Sequence, residues 1–111
     1  RRVLFRSLLH EATDMWLPGS RGPSEAETAA LVQSRGHSTP SVAGDFARRV
    51  GAQALVLTHF SQKHRPSDVD AMAAFRDAAT AASGLPQECV HCARDFDSLK
   101  ISSIGVTVTE P

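Results

Sequence analysis

Stretches of apolar residues predict the strands of this chain. Residues 3–9 are rich in apolar side chains and end at His10, as expected of a strand that runs into a loop. Residues 54–57 form an uninterrupted apolar run, which is typical of a strand covered on both faces. Apolar residues alternate with polar ones over residues 99–108, but the phase shifts near Ser102, which predicts a last strand with a bulge.

Capping signals mark two helices between the first two strands. Ser24 and Glu27 form the pattern of a capping box, which predicts a helix that runs to about residue 34. Thr39 suits the N-cap of a second helix and Gly51 suits its end. The predicted apolar face of this second helix consists of Val42, Ala43, Phe46, Ala47 and Val50.

A third helix is predicted after the apolar strand. Asp68 and Asp70 favour its start, and Gly84 favours its end. Its predicted apolar face consists of Val69, Met72, Ala73, Phe75 and Ala79. Strands and helical regions alternate in the order β-α-β-α-β, with two helices in the first helical region, which indicates an α/β architecture without internal repeats.

Composition describes an ordinary globular protein and excludes few functions. The chain has 111 residues, of which 41% are hydrophobic and 22% charged, and its formal net charge is zero. Overall charge therefore gives no sign of nucleic-acid binding, although a local basic patch is enough for it. No apolar run approaches the roughly 20 residues that cross a bilayer, and the first residues are too few for a signal peptide. Because the sequence does not begin with methionine, we expect a piece of a longer protein.

The two cysteines form a single C-x-x-C pattern. A structural zinc site usually needs a second such pair, and the chain has no cysteine besides Cys89 and Cys92. A redox-active pair would stand at a helix start after a strand, which this context does not provide. We therefore predict two ordinary thiols in or beside a strand, in a protein of a reducing compartment.

Two histidines lie where loops meet the edge of an α/β sheet. His37 precedes a predicted helix start, where free backbone N–H groups attract an anion. It can contact a phosphate or protonate a leaving oxygen, or it is a loop residue that faces water. His59 follows the apolar strand, where its imidazole can bind zinc or can hydrogen-bond to a neighbouring carbonyl.

Charged residues near these histidines add further candidates. Glu11 can orient a ligand histidine, or it can fix a turn through hydrogen bonds to the backbone. The basic run Lys63-His64-Arg65 can meet phosphates, or it is a solvated turn.

Three separated segments resemble motifs of one enzyme family in the same order. They are His10-Glu11-Ala12-Thr13, Gly36-His37-Ser38-Thr39-Pro40 and Leu57-Thr58-His59-Phe60-Ser61-Gln62. The set resembles the C-terminal part of tRNase Z, also called ribonuclease Z or zinc phosphodiesterase ELAC, of the metallo-β-lactamase superfamily.

The resemblance implies a fold and a function. Residues 1–111 would form the C-terminal portion of a metallo-β-lactamase αββα sandwich, with the N-terminal half of the domain absent. The intact protein would be a zinc-dependent endoribonuclease that removes the 3′ trailer from precursor tRNA, with two zinc ions. The resemblance also implies that the intact protein is a homodimer without a membrane partner. It would be located in the cytoplasm, and in a eukaryote also in the nucleus.

The resemblance also implies roles for individual residues. His59 would be a metal ligand and His37 a catalytic group. Supporting residues would be His10, Glu11 and Thr13. Contacts to RNA phosphates would come from Ser38, Thr39, Lys63 and Arg65. The family has tyrosine where this chain has His64, and His91 matches no family role, so we interpret His91 as structural.

The family's H-x-H-x-D-H metal motif does not occur in these 111 residues. We therefore predict that the chain is inactive by itself. Two alternatives stay open: a truncated, non-catalytic module that binds RNA, or another metallo-β-lactamase hydrolase or phosphodiesterase.

Overall fold

A computed structural model describes residues 7–61, 63–64, 68–93, 98–102 and 105–109, and side chains up to residue 93. It shows an α/β protein with three α-helices, which confirms the predicted class. In chain order the elements are β1 (Ser7–Glu11), α1 (Glu25–Ser34), α2 (Pro40–Val50), β2 (Ala54–Thr58), α3 (Val69–Ser83), a 3-10 turn (Gln87–Cys89), β3 (Val90–Cys92), β4 (Ser98–Ser102) and β5 (Gly105–Thr109). No helix of the described chain is long and apolar enough to cross a membrane.

Strands β1, β2 and β3 form a parallel sheet with β2 in the centre. Leu55 and Leu57 of β2 join the core that α2 and α3 cover, while Val56 belongs to a smaller cluster. All three side chains are fully buried, as the uninterrupted apolar run predicted. Because β1 and β2 are parallel and Glu11 pairs with Thr58, the carboxyl ends of both strands meet at one edge.

The first strand extends further than predicted. Pairing with β2 continues through His10 to Glu11, so the strand does not end before His10. Residues 3–6, which the prediction included, lie outside the described residues.

The predicted helix ends are confirmed. The Ser24 hydroxyl accepts a bond from the Glu27 N–H at 3.2 Å, and the Glu27 carboxylate accepts one from the Ser24 N–H at 3.0 Å. Thr39 caps α2 by accepting from the Val42 N–H at 3.2 Å, and Gly51 ends it with φ 71°. Asp68 caps α3 in the same way.

The predicted apolar faces of α2 and α3 are wrong in part. Val42 and Phe46 are 52% and 44% exposed, and Val69 of α3 is 76% exposed. Ala73 is exposed as well. The buried residues of α2 are Pro40, Ala43, Gly44 and Ala47. The cause is close packing of α2 on α3, which favours small residues at the contact.

Gly44 shows how close the two helices approach. A Cβ at this position would lie 2.4 Å from the Ala79 carbonyl oxygen and 2.9 Å from the Ala82 Cβ. Only glycine leaves the helices at this distance, so the flank of α2 that contains Gly44 must face α3.

The C-terminal stretch forms two strands and not one bulged strand. β4 and β5 pair antiparallel, with Leu99 opposite Val108 and Ile101 opposite Val106. The change of phase that predicted a bulge therefore falls between two strands, because the chain reverses its direction there.

Candidate functional site

Three segments far apart in sequence meet at the edge where β1 and β2 end. The Thr13 N–H donates to the Ser38 carbonyl at 2.9 Å, and the Thr13 carbonyl accepts from the Ser61 N–H at 2.7 Å. The Ala12 N–H donates to the Thr58 carbonyl at 2.8 Å. The segment that contains Thr13 thus holds the loop before α2 and the loop after β2 in fixed positions.

Glu11, His37 and His59 form a cluster at this edge. Each of them offers a ligand atom, and these three atoms all lie within 4.8 Å of one another. The rings of His37 and His59 have centroids 5.5 Å apart and are inclined by 33°. Two imidazoles and a carboxylate are ligands that zinc accepts in proteins.

His59 is placed by an unusual backbone conformation. It has φ 59° and is the only non-glycine residue with positive φ in the described chain. Such a conformation costs of order 1–3 kcal/mol, and histidine tolerates it better than most residues. The side chain is exposed and joins the cluster at the point where β2 has ended.

His37 lies in the turn between α1 and α2. Its N–H donates to the Val32 carbonyl at 3.0 Å, which fixes the turn after the end of α1. The Nδ1 atom is buried and has no hydrogen-bond partner among the described residues, and it lies 3.8 Å from a Glu11 carboxylate oxygen. This distance permits an ion pair with protonated imidazole but is too long for a hydrogen bond.

Ser38 and Thr39 stand beside His37 at the helix start. Ser38 uses its carbonyl to hold Thr13, and Thr39 uses its hydroxyl oxygen to cap α2. The Thr39 hydroxyl can still donate its own proton to a phosphate. The predicted phosphate contact at the helix start is compatible with this geometry and stays a prediction.

His10 lies outside the cluster. Neighbouring residues of a strand point to opposite faces, so His10 and Glu11 diverge. The His10 Nδ1 atom lies 2.8 Å from the Glu11 carbonyl oxygen, and its ring packs 5.6 Å from the ring of Phe46. Any support that His10 gives to the cluster therefore passes through the backbone. Thr13 places its hydroxyl oxygen in a buried position without a partner among the described residues.

Sequence reasoning missed Asp14, a buried residue that contacts two residues of the basic run. His64 Nε2 lies 2.5 Å from one carboxylate oxygen of Asp14, and Lys63 Nζ lies 2.8 Å from the other. His64 is buried against Phe75, with ring centroids 5.0 Å apart, so it is not part of a solvated turn. The only signal in the sequence was that Asp14 directly follows a motif segment. Arg65 lies outside the described residues.

Lys63 and His64 affect the pKa of the Asp14 carboxyl. Burial by itself raises the pKa of the Asp14 carboxyl, but hydrogen bonds and charges from Lys63 and His64 outweigh it, and the pKa is lower than usual. Lys63 is mostly exposed and already paired with Asp14, so a phosphate would have to share it.

Neither cysteine contributes to the site. Both are free, Cys89 in the 3-10 turn and Cys92 in β3. Burial raises the pKa of the Cys92 thiol to about 11, against an opposing effect of Arg76. Burial also lowers the pKa of His91, with a further contribution from Arg76. Both thiols are therefore free and lie in or beside a strand, as predicted, while the structural role of His91 stays a prediction.

Comparison with known proteins identifies relatives of the chain, although no family model matches it. It is 37% identical over 95 residues to zinc phosphodiesterase ELAC protein 1 of Mus musculus, covering 80% of this chain and 23% of that protein. It is 41% identical over 73 residues to ribonuclease Z of Kineococcus radiotolerans, covering 66% and 22%. It is 36% identical over 64 residues to ribonuclease BN of Cronobacter sakazakii, covering 58% and 21%. The chain spans about a fifth of the length of these curated relatives.

Proposed function

The chain is related to tRNase Z, the ribonuclease Z and zinc phosphodiesterase ELAC family of the metallo-β-lactamase superfamily, and from this relationship we propose that it is part of an enzyme that removes the 3′ trailer from precursor tRNA. In this proposal the chain supplies the C-terminal portion of an αββα sandwich. The single observation that carries the proposal is the convergence of Glu11, His37 and His59 at one sheet edge.

The cluster is chemically suited to zinc. His59 would be the ligand, since its imidazole is exposed at the end of β2. The Nδ1 atom of His37 is buried and has no hydrogen-bond partner in the described part of the chain, and a cation or a phosphate beside His59 would satisfy it together with the Glu11 carboxylate. When bound, zinc supplies positive charge beside the phosphate and acidifies water.

His37 would act on the leaving group. Cleavage breaks the bond between phosphorus and the 3′ oxygen of the tRNA, and water supplies the new oxygen of the 5′-phosphate on the trailer. The leaving 3′ oxygen needs a proton, which a protonated His37 imidazole can donate. Glu11 stabilises the charged imidazole from 3.8 Å and is a positioning residue in this scheme.

The loop before α2 would position the phosphate. Backbone N–H groups at the start of α2 attract negative charge, and the bond from Thr13 to Ser38 keeps this helix start beside the cluster. The same bond explains how the segment containing Thr13 supports the site without touching the phosphate.

Metal analysis of the full-length protein tests the proposal. His59→Ala should lower the zinc content and abolish cleavage of precursor tRNA, whereas the control His91→Gln changes an imidazole outside the cluster and should preserve both. Unchanged zinc stoichiometry in His59→Ala would remove the ligand assignment. Turnover of a small phosphodiester without cleavage of precursor tRNA would favour another hydrolase of the superfamily.

A further inference from the structure

A second cavity adjoins the cluster, bounded by the loop after β1, helix α1 and the Lys63-His64 pair. We propose that this cavity binds one nucleotide of single-stranded RNA, next to the phosphate held at His37. The proposal deepens the proposed function, on which it rests for the class of ligand.

The cavity combines an aromatic ring with arginines. Trp16, Arg21 and Arg35 line it, and Trp16 is half-buried while both arginines are exposed. An aromatic ring stacks on any nucleobase, and arginine pairs with phosphate or stacks on the base from the other side. A volume of about 350 Å³ lies at the small end of ligand pockets, which suits a single nucleotide better than a helical segment of RNA.

The charge in the cavity favours an anion. Among the described residues that line it, Asp14 has the one carboxylate, which is offset by Lys63 at 2.8 Å and hydrogen-bonded to His64. Among the described residues, neither Arg21 nor Arg35 forms an ion pair. Both guanidinium groups therefore keep their charge available to a phosphate.

One face of α1 forms a wall of this cavity. Thr28, Leu31, Val32 and Arg35 follow the spacing of a single helical face, and all four line the cavity. Leu31 is 42% exposed there, which leaves an apolar surface on which a base or sugar can pack. Arg35 stands at the C-cap of α1, where the helix dipole also favours a cation.

Shared lining residues place the cavity next to the cluster. A neighbouring cavity contains His37 and His59, and it shares Asp14, Arg35 and Lys63 with the cavity that contains Trp16. A strand of RNA with one phosphate at His37 can therefore place its adjacent nucleotide against Trp16. Arg35 lies between the two positions and can contact the phosphate that connects them.

Binding of a labelled hexaribonucleotide tests the proposal on the full-length protein in EDTA, where cleavage makes no contribution. Arg35→Gln and Arg21→Gln should each weaken binding about tenfold, and each should reduce the salt slope by about 0.7. Arg49→Gln is the matched control, because it removes an exposed arginine of α2 that is paired with Asp45. Equal affinities of Arg35→Gln and Arg49→Gln would overturn the proposal.

Crosslinking locates the bound nucleotide directly. A hexaribonucleotide containing 4-thiouridine should crosslink to the tryptic peptide of residues 7–21, which contains Trp16. Trp16→Leu should lose this crosslink and Trp16→Phe should retain binding, since stacking needs only a ring. Crosslinks confined to other peptides would reject the site, and so would equally strong competition by a hexa-aspartate peptide.

The two proposals fail separately. If the full-length protein does not cleave precursor tRNA while RNA binding still depends on Arg35, the proposed function fails and the nucleotide site stands. If zinc is lost as expected but Arg35→Gln binds RNA like Arg49→Gln, only the nucleotide site is rejected.

Discussion

The Nδ1 atom of His37 lies 3.8 Å from a carboxylate oxygen of Glu11, although one residue follows helix α1 and the other ends strand β1. A shift of less than about 1 Å would turn this contact into a charge-assisted hydrogen bond. The proposed function uses this pair, with Glu11 as a positioning residue for the His37 imidazole.

Glu11→Gln in the full-length enzyme should lower turnover roughly tenfold or more, because the neutral amide no longer stabilises the charged imidazole. Zinc content should stay near that of the wild type. Single-turnover cleavage measures the rate and elemental analysis measures the zinc content. The control is Glu25→Gln, which changes an exposed carboxylate at the start of α1. Turnover within twofold of wild type would show that Glu11 only fixes the turn.

His37→Ala should reduce turnover by roughly 10²-fold or more while the protein retains its zinc, since the proton donor is lost but the ligand His59 remains. Added imidazole should restore part of the rate, because it supplies a proton donor in the space left by the side chain. If the rate falls only a few-fold, His37 is a loop residue that faces water.

Gly44→Ala should destabilise the fold by about 1–3 kcal/mol, because the new methyl group would force α2 away from the Ala79 carbonyl. Thermal unfolding followed by circular dichroism measures the loss. Ser41→Ala, an exposed change on the same helix, is the control and should leave the melting temperature nearly unchanged. Equal melting temperatures of both variants would contradict the close packing described above.

Asp14→Asn should lower the free energy of unfolding at pH 7 by about 1–3 kcal/mol, since His64 is then buried without its charged partner. The folded pKa of Asp14 is depressed, so its stabilisation is complete above the unfolded value of about 3.8 and is lost as pH falls through the folded value. The difference between wild type and variant should therefore shrink in acid. Urea unfolding at several pH values tests this, with exposed Asp77→Asn as the control.

The purified 111-residue chain should neither cleave precursor tRNA nor bind zinc tightly. A two-zinc site needs several converging ligands, and the chain has one residue, His59, at a matched ligand position. Isothermal titration with zinc and a cleavage assay free of contaminating nuclease test this expectation. Removal of the trailer by this chain alone would show that the site has been assigned to the wrong residues.

The sequence alone determined the ends of the helices and the central strand. Ser24 and Glu27 bond to each other, and Thr39 bonds to the Val42 N–H three residues later. Gly51 ends α2 through its own backbone conformation. Each of these signals therefore lies within a few residues of sequence. The apolar run of β2 likewise needs no knowledge of its neighbours. The positions of His37 and His59 at loops beside one sheet edge followed from the order of these elements.

Only the tertiary structure decided which surfaces meet. Val42 and Gly44 lie on nearly opposite sides of α2, and the approach of α3 buries the glycine and leaves the valine exposed. His64 binds Asp14, which lies fifty positions earlier in the sequence, and no local pattern indicates this contact. Such pairings depend on how the elements pack. Apolar periodicity predicts which face of an element is buried, but it does not predict which element packs against that face. The distance between Glu11 and His37 also depends on tertiary packing, because the hydrogen bond from Thr13 to Ser38 brings their segments together.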